Sequence, residues 1–308
     1  MRVRIRPTEA IHFAALAVLT AMALVLRQRL EHPGAMFLGY AALAAGVCLM
    51  ALLARRIDRL PAPVAFLVDF YPAASLPILF NTLEPLIQAV RGGARDDLLI
   101  AADRAMFGVD VTVWIQRLVH PVLNDLFYSF YATYYFIALT LGLVLWLHDR
   151  STARRYVFTL MVVYYVSFAG YFTIPALGPR FAQASEYTVS LTTTPIARTI
   201  DDTINSMEKT KLDVFPSGHT MISVAVLLVA WQRSRRAFWF LLPVATGLII
   251  STVYCRYHYV IDVIAGAALA CISVPIGDRI YDRLIRDRPQ GPSGRPGGVK
   301  PLPYNALS

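Results

Sequence analysis

The chain has 308 residues, 56% of them hydrophobic, and a net charge of +9 from 29 Lys and Arg against 20 Asp and Glu. Such apolarity, with several runs long enough to cross a bilayer, excludes an ordinary soluble domain. The positive charge does not read as a nucleic-acid footprint, because the basic residues gather at the ends of apolar runs, where topology explains them.

In chain order, Arg2, Arg4 and Arg6 precede an apolar run from Ile11 to Leu26. Ala21-Met22-Ala23 imitates a signal-peptide cleavage site, but the run continues past it and another follows, so an uncleaved first helix is expected. Eight spans are predicted, near 10–28, 35–54, 62–81, 122–147, 155–176, 214–231, 237–255 and 257–278. Lipid leaves loops and open sheet edges unsatisfied, so the fold class is an all-α polytopic membrane bundle. The third span is the weakest, since Asp69, Pro72 and Pro77 interrupt it. Residues 82–121 and 181–213 form long connections, and residues 105–115 read as an amphipathic interfacial helix or an ordinary surface helix. Pro and Gly enrich the segment from Pro289 onward, so 289–308 is expected to be a disordered cytoplasmic tail. Cys48, Cys255 and Cys271 lack metal-like spacing and read as small core residues.

The arginine clusters 55–59, 150–155, 233–236 and 279–288 alternate with the spans so that all fall on one face. The positive-inside rule then puts both termini in the cytoplasm, in an inner-membrane protein, with Arg180, His219 and His258 at the outer face.

Three strings lie at that outer face. In the first, His258 and Asp262 are four residues apart, one helical turn, so the carboxylate can hold Nδ1–H and leave Nε2 nucleophilic. The second is Pro216-Ser217-Gly218-His219, which suits a helix start whose free amides cradle a phosphate beside a proton-donating His219. A simple start capped by Ser217 fits the same residues. The third, Gly178-Pro179-Arg180, offers a guanidinium fork for phosphate oxygens, or an arginine that snorkels to headgroups.

Pro-Ser-Gly-His followed by His-x-x-x-Asp, at this spacing and depth, resembles the type 2 phosphatidic acid phosphatase superfamily. The resemblance covers about residues 62–278 and leaves 1–60 as two accessory spans. It implies a six-helix catalytic core and a phosphohistidine mechanism without metal or cofactor. His258 would be the nucleophile, Asp262 its support and His219 the acid, with Arg180, Ser217 and Gly218 binding substrate. The substrate would be a membrane phospholipid, with water or a lipid alcohol taking the phosphoryl group. No nucleic acid is implied.

Two departures stand out. The common phosphatase motif of a lysine followed seven residues later by Arg-Pro is absent, and Gly178-Pro179-Arg180 occupies its place. The arginine usually six residues before the nucleophile is Thr252, and Arg256, one turn on if the helix continues, is a substrate-binding replacement or an interfacial anchor. Gly-Pro-Arg and His-Tyr-x-x-Asp resemble the inositol phosphorylceramide synthase group, and sphingomyelin synthases share the second string. That branch moves a phospho-headgroup to a lipid alcohol. The alternatives are a lipid phosphate phosphatase, a non-enzymatic lipid transporter or scaffold, vanadate haloperoxidase chemistry (disfavoured by the spans) and zinc held by His219 and His258, for which no further ligand lies nearby.

Overall fold

A computed structural model describes residues 5–207 and 210–286. The expected tail, Arg2, Arg4 and two residues of the second long connection lie outside the described residues. Among these the regular structure is helical. The chain opens with α1 (Pro7–Val25) and α2 (Pro33–Ala54), a hairpin whose two arms each begin with proline in the first turn. The third span is split into α3 (Ala62–Phe70) and α4 (Pro72–Phe80). Pro72 lacks the N–H that a continuous helix would need, which is why the break falls there.

The first long connection is mostly helical: α5 (Leu83–Arg91), α6 (Asp96–Phe107) and the short α7 (Val111–Trp114). The helix expected over 105–115 does not form as one piece. Gly108, in the left-handed region at φ 73°, ends α6 in the middle of it. The fourth span is α8 (Pro121–Ala132) followed by α9 (Tyr134–His148), bent by 47°. Then come α10 (Arg150–Tyr171), capped by Asp149, and the short α11 (Pro179–Ala182). In the second long connection lies α12 (Pro195–Met207). The chain closes with α13 (Gly218–Arg233), α14 (Arg235–Tyr254) and α15 (Val260–Arg286).

All eight predicted spans are helical, but five, or six counting the bent pair, are long and apolar enough to cross a membrane by themselves. The two that fall short are α10, which begins with three arginines in its first six residues, and α13, which has 16 residues. Both sit at the centre, where α10 packs on α1, α9, α13 and α15, and α13 on α9, α14 and α15. A central helix faces protein rather than lipid, so its composition is freer. Around it, large apolar side chains such as Leu38, Phe136, Leu147 and Phe240 point outward and are more than 65% exposed, as a lipid-facing surface requires. Cys48 and Cys271 belong to that exposed surface, which corrects the expectation of core cysteines; Cys255 alone is buried.

One end of the bundle is tied by charge. Asp69, its side chain fully buried, accepts from Arg6 at 3.0 Å, Arg150 at 3.1 Å and Arg154 at 2.9 Å, with Trp146 Nε1 at 3.1 Å. Arg155 reaches Asp278 and Asp282 on α15 at 2.8 and 2.9 Å. The residue that weakened the third span in the sequence thus joins α1, α3 and α10. The opposite end carries the three strings.

Candidate active site

The return of α13 and α14 across the bundle brings the two histidines together. His219 Nδ1 lies 3.2 Å from His258 Nε2, and His258 Nδ1 lies 3.0 Å from Asp262 Oδ2. A carboxylate only accepts, so His258 donates from Nδ1 and its Nε2 carries the lone pair. That lone pair accepts from Nδ1–H of His219. All three side chains are buried: His219 is 8% exposed, His258 4% and Asp262 0%. Asp262 Oδ1 and His219 Nε2 have no partner among the described residues.

Helix starts fix this geometry. Two residues before α15 begins, His258 reaches Asp262 from the preceding turn, while Tyr259 N also donates to Asp262 Oδ2 at 3.3 Å. Ser217 caps α13, accepting from Thr220 N at 3.3 Å and Thr220 Oγ1 at 3.1 Å, and its own amide donates to the Asp262 carbonyl at 3.1 Å. Ser217 is 0% exposed, so its hydroxyl and amide are engaged inside the fold, as in the simple capped start, rather than offered outward. Gly218 and His219 open the helix, where amides have no intrahelical acceptor. Gly218 is closely packed, since a Cβ there would stand 2.6 Å from Tyr171 Oη and that side chain would have to shift. Gly266 plays the same part on α15, where a Cβ would meet the Ser217 carbonyl at 2.7 Å.

The two arginines part company. Arg180 is half-buried, with its guanidinium 4.2 Å over the Tyr257 ring and Nη1 donating to Asn205 Oδ1 at 2.9 Å. Tyr257 stacks on Tyr131 at 4.3 Å, and Tyr131 lies 4.7 Å from the His219 ring, so one aromatic stack connects Arg180 to the histidines. Arg256 does not continue α14. The helix stops at Tyr254, and Arg256 adopts φ 64°, outside the register with Thr252 that the sequence reading required. Its guanidinium turns to the second long connection, donating to the Val189 carbonyl at 2.9 Å and lying 3.8 Å over the Tyr187 ring. Burial pulls its pKa below the usual arginine range. Its carbonyl accepts from the Arg180 amide at 2.9 Å, so Arg256 shapes the loop under Arg180.

Other residues that hold the site were not singled out by the sequence reading. On α6, Asp96 accepts from the amides of Leu177 at 2.9 Å and Gly178 at 2.8 Å, and from Tyr259 Oη at 2.9 Å. Asp103, two turns on, accepts from the amides of Val260 and Ile261 at 2.9 and 2.8 Å and so caps α15. Burial pushes the Asp103 carboxyl above its usual range, and those two amides oppose the shift. One face of α6 therefore holds both the Arg180 loop and the start of the helix bearing Asp262. The spacing of seven between the two aspartates was the available signal. On α12, Asp201 accepts from Tyr257 Oη at 2.8 Å and from Asn205 at 3.0 Å, which seats that helix over Arg180.

Comparison with known proteins identifies a family. The family model for the PAP2 superfamily matches residues 97–276. The chain belongs to the PAP2 superfamily. That match runs from the second residue of α6 into α15, so it includes Arg180, Ser217, Gly218, His219, Arg256, His258 and Asp262 but stops one residue short of Asp96, and it leaves α1 to α5 outside. It groups the chain with membrane lipid phosphatase-type enzymes. The chain is also 31% identical over 157 residues to the bacitracin transport permease protein BcrC of Bacillus licheniformis, covering 50% of this chain and 70% of that protein. No solved structure matches significantly.

Proposed function

We propose that this PAP2 superfamily member is a membrane lipid phosphoesterase working through a phosphohistidine on His258. The observation that carries the reading is the Asp262–His258–His219 series of contacts at 3.0 and 3.2 Å. Substrate phosphate displaces His219 from the His258 lone pair and takes its place between the rings. His258 Nε2 attacks phosphorus, the bond to the lipid oxygen breaks, and His219 delivers its proton to that oxygen. Asp262 stabilises the imidazolium character that grows on His258. The nonbridging oxygens face Arg180 and the opening amides of α13, donors fixed before the reaction begins. Water then attacks, His219 takes its proton, and the P–N bond breaks to restore His258.

The site end lies opposite the arginine-rich end, which supports a site on the outer face with both termini cytoplasmic. A second reading, transfer of a phospho-headgroup to a lipid alcohol, rests on Gly178-Pro179-Arg180 standing where the usual lysine motif is absent. Offering purified protein a lipid phosphomonoester, and a diester phospholipid with and without a lipid alcohol, separates the two. A phosphatase releases inorganic phosphate without the alcohol; a transferase makes a new phospholipid only with it. A transporter, as the relative's name suggests for that protein, does neither.

A further inference from the structure

We propose that one extended apolar tail of the substrate lies in a slot beneath the histidines, and that α4 and Phe70 set the tail length accepted. This rests on the phosphoesterase reading above. A cavity of about 220 Å³ has His219 and Gly218 in its lining. From there it runs between α4, α9 and α10, and its lining on α10 extends from Tyr171 to Tyr156. At about 1.5 Å per residue that is a depth of about 22 Å, most of a hydrocarbon core about 30 Å thick. Over that depth the lining is mostly apolar, as an alkyl chain requires. A tail in it stays joined to a phosphate at His219, so the slot is continuous with the chemistry.

The walls suit such a tail. Leu76 and Pro77 face Ala138 and Met161 across it, and polar lining from Asn81 and Asp213 belongs to the chain segments at the histidine end. Phe70 and Tyr156 close the foot. There Phe70 presses on α9 so closely that a Cβ at Gly142 would stand 2.4 Å from its ring, and Tyr156 Oη is held by the Ala138 carbonyl at 2.8 Å. Phe70 and α4 precede the family match, which starts at residue 97. The α4 and Phe70 side of the wall is therefore built from a segment of this chain that lies outside the match, facing Tyr156 within it.

The test uses full-length protein in nanodiscs and a series of alkyl phosphates of increasing tail length, one of them carrying a photoreactive group at the tail's end. Ala138→Phe narrows the slot midway, and the ratio of long-tail to short-tail turnover should fall roughly tenfold, as when about two methylenes are left unburied. Phe70→Ala opens the foot and should move the preferred tail to greater length. In the wild type the photoreactive tail should label Phe70, Tyr156 or their neighbours. A length profile unmoved by both variants, or labelling confined to lipid-facing residues such as Phe136 and Trp239, overturns the proposal. Labelling at the foot without phosphate release from any ester would instead overturn the phosphoesterase reading and leave the slot standing.

Discussion

At the residue scale, the groups proposed to touch phosphate differ from those that hold them in place. Asp262→Asn keeps the volume and one acceptor but loses the negative charge that stabilises imidazolium character on His258, so kcat should fall roughly a hundredfold or more with the fold retained; circular dichroism and a rate assay check it. The two arginines make a sharper contrast. Arg180→Ala should lower kcat/KM by about a hundredfold, the loss of one preorganised donor, whereas Arg256→Ala should do less, because that guanidinium already serves Val189 and Tyr187. Equal losses in parallel kinetics would return Arg256 to the phosphate. The histidines and Asp262 were legible in the sequence because the chemistry is written in their spacing. Arg256 misled because its position depended on a helix continuing past Tyr254, and no local signal marks the turn into φ 64° there.

At the element scale, the starts of α13 and α15 and the loop before α11 are what the site is built from, and α6 ties two of them. Asp96→Ala frees the Leu177 and Gly178 amides, so the Arg180 loop should loosen. The expected signature is a rise in KM of about tenfold, the order of one or two buried hydrogen bonds, with kcat less affected. Asn at the same position, able to accept once, should rescue part of it. Gly178→Ala combines φ 86° with a Cβ 2.7 Å from the Tyr257 carbonyl and should impair both KM and the thermal midpoint. Helix periodicity revealed the spans, since apolar runs and arginine ends are local features. It did not reveal that the two long connections are largely helical, or that α6 ends at Gly108, because the anchoring partners of α6 lie more than 80 residues away, at Leu177 and Val260.

At the scale of the whole molecule, a charged end and a chemical end divide the bundle. Asp69 receives three arginines and an indole at the charged end, so Asp69→Ala leaves those cations without a buried carboxylate and should destabilise the protein by about 3–5 kcal/mol. Thermal unfolding in detergent reads this, and an unchanged midpoint would deny the network that role. The sequence showed Asp69 only as a flaw in a span, since its partners come from three separate helices. The decisive measurement lies at the chemical end. Purified protein incubated briefly with a phosphate ester labelled at phosphorus, quenched in alkali and digested, should carry the label on His258, and His258→Ala should carry none. Label on His219 or on any other residue, or full turnover by His258→Ala, would contradict the account.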